Sequence, residues 1–258
     1  MPLVALTTDF GTRDSYVAAM KGVLYSRCPG VQVVDLSHEI PPQDVFEGAL
    51  FLAEAVPYFP EGTIHCVVVD PGVGTARLPI AVYAGKQYFV CPDNGVLGLF
   101  AQSHPVEEAR SISNRSFMLD TVSPTFHGRD VFAPAAACLA AGVRIEDAGE
   151  RVPTLTVLDV PKPTRDKHGR LSGVIMHIDR FGNAVTNVHR MDLEGAPPVE
   201  IRMGRLRLDR LSNAYGDVTE GDSLALFGSS DYIEIAVNQG SARDDFDIVR
   251  GQRVEIRF

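Results

Sequence analysis

The 258-residue chain is 45% hydrophobic and 22% charged, ordinary values for a globular protein with a sizeable packed core. Its 24 basic against 33 acidic residues give a formal net charge of −9, and the absence of any basic run argues against a nucleic-acid-binding surface. No apolar run approaches the ~20 residues of a membrane span, the N-terminus MPLVALTTDF lacks a basic leader region, and a cytoplasmic protein with four reduced cysteines is expected.

Short apolar runs alternate with helical spacing in the first part of the chain. Residues 3–8 form a strand-like run ending at Asp9, and 16–28 has helical spacing, with Val17, Met20, Val23 and Leu24 on one face. A second strand run covers 31–36. Helical spacing returns over 44–58 until Pro60, Glu61 and Gly62 stop it. Residues 64–69 form a largely apolar strand followed by Asp70; 80–83 and 88–91 are further strands, and 130–141 is an Ala-rich helix ended by Gly142. This alternation predicts an α/β N-terminal domain with a largely parallel central sheet over residues 1–160. Prolines and charges mark 161–170 as a linker. Beyond it, 171–178, 199–203, 205–208, 223–227, 232–237 and 253–258 are short strands with no helix between them. That pattern predicts a C-terminal antiparallel β-barrel domain over 171–258.

In open parallel sheets ligands bind beyond the carboxyl ends of the strands. Asp9 and Asp70 both stand where an apolar strand ends, and glycines follow each: Asp9-Phe10-Gly11 and Asp70-Pro71-Gly72-Val73-Gly74. Either acid could instead cap a helix or hold a turn; two together with flanking glycines point to a site. The Gly72-Val73-Gly74-Thr75 stretch has no lysine to complete a phosphate loop, and GxGxxG is absent because position 77 is Arg. His127 precedes the Ala-rich helix, whose positive end would favour neutral imidazole; a structural histidine is the alternative. The seven histidines show no metal-ligand spacing, so no metal is expected. Asp179-Arg180-Phe181-Gly182-Asn183 reads equally as a hairpin turn with a core phenylalanine or as an adenine contact, the ring stacking and the amide pairing with the base edge. Gly228-Ser229-Ser230 and Asn238-Gln239-Gly240 are turn-like.

Taken in order, these segments resemble the S-adenosylmethionine (SAM) hydroxide adenosyltransferases, whose relatives include SAM-dependent fluorinases and chlorinases. The matching residues include Thr8-Asp9-Phe10-Gly11 with Asp14, Asp35-Leu36-Ser37-His38, Asp70-Pro71-Gly72-Val73-Gly74 with Arg77, and Pro92-Asp93-Asn94-Gly95. Later matches are Thr125-Phe126-His127-Gly128-Arg129-Asp130, Asp179-Arg180-Phe181-Gly182-Asn183 and Ile235-Ala236-Val237-Asn238-Gln239-Gly240, so nearly the whole chain is covered. The resemblance implies hydrolysis of SAM, as substrate rather than cofactor, to adenosine and methionine. It also implies a homotrimer whose sites lie between the N-terminal domain of one subunit and the C-terminal domain of its neighbour.

By the same resemblance Asp70, Arg77 and His127 handle the attacking water. Asp9 grips the ribose hydroxyls, Asp14 faces the methionine ammonium and Ser229 holds its carboxylate. Phe181 and Asn183, with backbone groups at Val237 and Asn238, contact adenine. Halogenating relatives carry Tyr in place of Asp70, Tyr-Ser in place of His127-Gly128, and an insertion after the Arg77 region that this chain lacks. A carboxylate there repels a halide and accepts a proton from water. Halide transfer and a non-catalytic SAM or adenosine sensor are the competing functions.

Overall fold

The first apolar run folds as β1 (Leu3–Thr8), buried along most of its length. The computed structural model describes residues 1–195 and 197–258, which divide into two compact units, Met1–Leu158 and Asp159–Phe258. Among the described residues no helix is long and apolar enough to cross a membrane.

In the first unit β1 is followed by α1 (Tyr16–Arg27), β2 (Gln32–Ser37), α2 (Val45–Ala55), β3 (Ile64–Val68), β4 (Pro79–Ala84) and β5 (Gln87–Pro92). α3 (Gly98–Ser103), β6 (Val106–Ser111) and α4 (Ala133–Ala140) complete it. The six strands lie in the order β2-β1-β3-β5-β4-β6. β2, β1, β3 and β5 are parallel, and β4 runs antiparallel to both its neighbours. Alternate residues of a strand face opposite sides. Ile64, Cys66 and Val68 of β3 therefore pack under Met20 and Leu24 of α1 and the alanines of α4. Val67 faces the other way, toward Leu52 of α2 and Phe100 of α3. Burial on both faces is why β3 is apolar except at His65, which is itself buried and stands 2.5 Å from Gln87 Oε1. The β4–β5 hairpin turns through Gly85 (φ 55°) and Lys86 (φ 63°), the left-handed pair that a two-residue turn needs.

The chain from β1 passes to β2 on one side, and the return through α2 crosses to β3 on the other. The strand order thus reverses between β1 and β3, the place beyond whose carboxyl ends open sheets of this kind bind ligands. Asp9 and Asp70 stand at those two ends. The sequence pattern does not reveal α3 or β6: α3 is only six residues long, and β6 is an edge strand whose residues VEEARS lack apolar alternation. The helix expected over 130–141 starts earlier, as one π-helical turn over Gly128–Phe132 that runs into α4.

The second unit contains β7 (Thr164–Arg165), β8 (Leu171–Ile178), β9 (Ala184–His189), β10 (Glu200–Met203), β11 (Leu206–Leu208), β12 (Ser223–Phe227), β13 (Tyr232–Val237), α5 (Ala242–Phe246) and β14 (Arg253–Arg257). Its antiparallel strands run in the order β11-β10-β14-β8-β9-β13-β12, with β7 paired to β8. Ser212, just past β11, donates to the Ala225 carbonyl of β12 at 2.7 Å, so the two ends of the path meet and the sheet curls into a barrel. β7 falls within the stretch expected as a linker. The expectation of no helix here is corrected by α5, a five-residue helix capped by Ser241, whose side chain accepts from the Asp244 amide at 3.2 Å. So short a helix leaves no periodicity to read. β9 escapes the apolar pattern because it carries buried Thr186 and Asn187. All four cysteines are free thiols; Cys28, Cys66 and Cys91 are buried and Cys138 is half-buried.

Candidate active site

Asp70 leaves the end of β3 and the chain folds back on itself. The Val73 amide donates to the Asp70 carbonyl at 3.3 Å, and the amide and hydroxyl of Thr75 donate to the Gly72 carbonyl at 3.1 and 2.7 Å. This loop returns Arg77 onto Asp70. Arg77 Nε donates to both carboxylate oxygens, at 2.9 and 3.1 Å, and its Nη2 also bonds Oδ2. The same Nη2 stands 2.8 Å from His127 Nδ1. The guanidinium lies over the Phe132 ring, 5.3 Å from its centroid. The Asp70 and Arg77 side chains are only 4% and 9% exposed, so the pair is little screened by solvent. Asn94 supports it from behind: its amide donates to the Val69 carbonyl at 2.8 Å and fixes the last residue before Asp70.

The loop carrying His127 docks against the Asp70 loop at Gly74 and Pro124. Gly74 has φ +76°, and a Cβ there would stand 2.5 Å from the Pro124 carbonyl oxygen, so only glycine permits the approach. Asp130, fully buried, accepts from the Ser123 amide at 2.8 Å and from the Arg129 guanidinium, bracketing His127 on both sides. His127 has its pKa lowered from the usual 6.5, first by burial and then by the Arg77 charge. The direction agrees with the helix-end argument, but the chief causes are different.

Arg77 can only donate, so His127 Nδ1 accepts, and the proton of the neutral ring sits on Nε2. His127 is thus presented as a hydrogen-bond donor.

Asp9 stands half-buried beside this group. Its Oδ2 accepts the Gln43 amide at 2.7 Å. Burial lifts its carboxyl above the ordinary value, the Gln43 bond opposes that shift, and the charge of Asp70 adds to it. Gln43 is invisible as a site residue in the sequence because its backbone, at φ +66°, does the work. Asp14 lies exposed in the loop before α1.

In the second unit Phe181 is 74% exposed, which excludes the core-phenylalanine reading. Asp179 organises its turn, accepting from the Phe181 and Asn183 amides at 2.9 and 2.8 Å and from the Asn183 side chain at 3.0 Å. The start of α5 lies against it: the Arg243 amide donates to the Gly182 carbonyl at 2.9 Å. Val237 is buried, and Asn238 is held on three sides: its side chain donates to the Val218 carbonyl at 2.8 Å, its amide to the Asp222 carbonyl at 3.0 Å, and its carbonyl accepts the Gly221 amide at 2.9 Å. Phe181, Asn183, Val237 and Asn238 therefore gather at one end of β13. Ser229 lies in the exposed turn before the other end, about 17 Å away along a six-residue strand. Glu234, buried midway along β13 and overlooked in the sequence, accepts the Tyr215 hydroxyl at 2.6 Å.

The chain matches the SAM hydroxide adenosyltransferase N-terminal domain over residues 4–149 and the C-terminal domain over residues 173–255. It is 41% identical over 267 residues to an (R)-S-adenosyl-L-methionine hydrolase of Thermus thermophilus, covering 98% of each chain. A fluorinase of Actinoplanes sp. is a more distant relative, 32% identical over 289 residues, covering 99% of this chain and 97% of the relative. An uncharacterized conserved protein from Thermotoga maritima has a solved structure that superposes with a TM-score of 0.90 at 36% identity, covering 99% of this chain and all of that one. With both domains matched in order, the chain belongs to the SAM hydroxide adenosyltransferase family.

Proposed function

We propose that this protein hydrolyses SAM to adenosine and methionine by direct attack of water on the ribose 5′-carbon. The observation that carries the reading is the buried Asp70–Arg77–His127 group beyond the carboxyl end of β3. Water oxygen bonds the 5′-carbon as the carbon–sulfur bond breaks, and that bond's electron pair neutralises the sulfonium as methionine leaves. His127 Nε2–H holds the water oxygen. Its Nδ1 is occupied by Arg77, so the carboxylate of Asp70 is the group that takes the proton. Transfer comes late, after the attacking oxygen has become strongly acidic through bonding to carbon, and a weak base then suffices. Fixing the water in line with the breaking bond contributes roughly several kcal/mol. The scheme needs no metal or cofactor, because the charge that changes most is on sulfur.

Asp9 grips the ribose hydroxyls and Asp14 faces the ammonium. In the second domain the ligand runs along β13, with adenine at the Phe181, Asn183, Val237 and Asn238 end and the carboxylate at Ser229. Sites shared between subunits of a homotrimer follow from the family resemblance, and sedimentation of the purified protein tests the trimer. Residence in the cytoplasm is supported by the four unpaired thiols.

The test is incubation with SAM in heavy-oxygen water. Adenosine labelled at the 5′ oxygen, released with methionine, is the expected result. A 5′-chloro nucleoside formed with added chloride would favour halide transfer. Binding without product would replace the enzyme by a sensor.

A further inference from the structure

Behind Asp9 lies a line of buried polar groups that the proposed chemistry does not use. Thr8, fully buried at the end of β1, stands with its hydroxyl 2.8 Å from Nδ1 of His38, itself 5% exposed. Thr8 Oγ1 also accepts the Phe10 amide at 3.3 Å. The His38 carbonyl accepts the Gly11 amide at 2.7 Å. On its far side His38 Nε2 is 3.0 Å from Asp35 Oδ1, and Lys21 Nζ bonds Asp35 Oδ2 at 2.6 Å.

These contacts have one consistent polarity. The Asp35 carboxylate can only accept, so the ring proton lies on Nε2 facing it, Nδ1 accepts the Thr8 hydroxyl proton, and the Thr8 oxygen receives the Phe10 N–H. Thr8, just before Asp9, is thus tied to the His38 imidazole, and Gly11, two residues after it, to the His38 backbone carbonyl, while the far side of the ring faces Asp35 of β2. An apolar pair would fill the same space without the cost of burying a hydroxyl and an imidazole; what the polar pair adds is direction.

We propose that Thr8 and His38 are positioning residues for Asp9, holding its carboxylate at the angle that reads the ribose hydroxyls. The inference rests on the assignment of Asp9 to the ribose. Its function is discrimination of a ribonucleoside from a deoxyribonucleoside, since a misaimed carboxylate loses the bonds to the hydroxyls while adenine contacts persist.

The test measures the binding of adenosine and 2′-deoxyadenosine to the intact protein by calorimetry. Compared with wild type are Thr8→Val, Thr8→Ser, His38→Asn and Asp9→Asn. One directed hydrogen bond is worth about tenfold, so wild type is expected to prefer adenosine by about that factor. Asp9→Asn and Thr8→Val should collapse the preference, and Thr8→Ser, which keeps the hydroxyl, should restore it. His38→Asn serves if Thr8→Val does not fold, and the same collapse is expected of it. If Asp9→Asn collapses the preference while Thr8→Val or His38→Asn retains it, the positioning role is overturned and the reading of Asp9 stands. If Asp9→Asn retains it, the ribose assignment itself fails and the positioning role falls with it. Equal weakening of both nucleosides by Thr8→Val also overturns the proposal, because a merely structural loss would not alter the ratio.

Discussion

Replacing Arg77 by lysine keeps a positive charge beside Asp70 but removes the planar fork. In the folded protein one guanidinium serves three atoms: both oxygens of Asp70, and Nδ1 of His127 at 2.8 Å. An ammonium is a point charge on a flexible stem and cannot hold carboxylate and imidazole together in that geometry. The strong ion pair keeps the ammonium on Asp70, and the bond to His127 is lost. A hydrogen bond to a charged group is worth about 1.5–3 kcal/mol. Since about 1.4 kcal/mol is tenfold in rate, kcat of Arg77→Lys is expected to fall about 10- to 100-fold. The loss should appear in kcat and leave KM nearly unchanged, because the arrangement serves the water and not the ground-state contacts to SAM. Chromatographic assay of adenosine release across SAM concentrations measures both constants, and a melting curve establishes that the variant is folded. A folded Arg77→Lys enzyme with kcat within about threefold of wild type would refute the fork argument.

Further outcomes are expected at other sites. In Arg77→Gln the guanidinium charge that lowers the His127 pKa is gone while Asp70, which raises it, remains; the imidazole titration followed by NMR should move upward, and a downward shift would contradict the assigned causes. In wild type the neutral ring is the working form, so kcat should hold above the lowered His127 value and decline as pH falls through it, below 6.5. Gly74→Ala places a Cβ 2.5 Å from the Pro124 carbonyl oxygen in left-handed backbone. The conformation alone costs about 1–2 kcal/mol, and undocking of the two loops should lower kcat by about tenfold or more, which steady-state kinetics would detect. Asp179→Asn weakens the three-bond clasp on the 179–183 turn; KM for SAM should rise several-fold while kcat stays near wild type.

The sequence by itself carried the α/β order, the change to antiparallel strands in the second half, and the two acids at strand ends. These features are local: burial on both faces makes a strand largely apolar, and a strand that runs out at a ligand site ends on a polar residue. The resemblance added the residues of the site, from Asp70, Arg77 and His127 to Asn183 and Ser229. What stayed hidden depends on groups far apart in the chain. His38 gains its place only because β2 lies beside β1 and brings residue 38 to residue 8. Gln43 acts through a backbone amide, which no side-chain pattern encodes. The tautomer of His127 follows from a guanidinium 50 residues away. The need for glycine at position 74 follows from a carbonyl on another loop. Residue types specify what chemistry is available, whereas hydrogen-bond polarity and the direction of each lone pair are relations between distant segments and exist only once the sheet has paired.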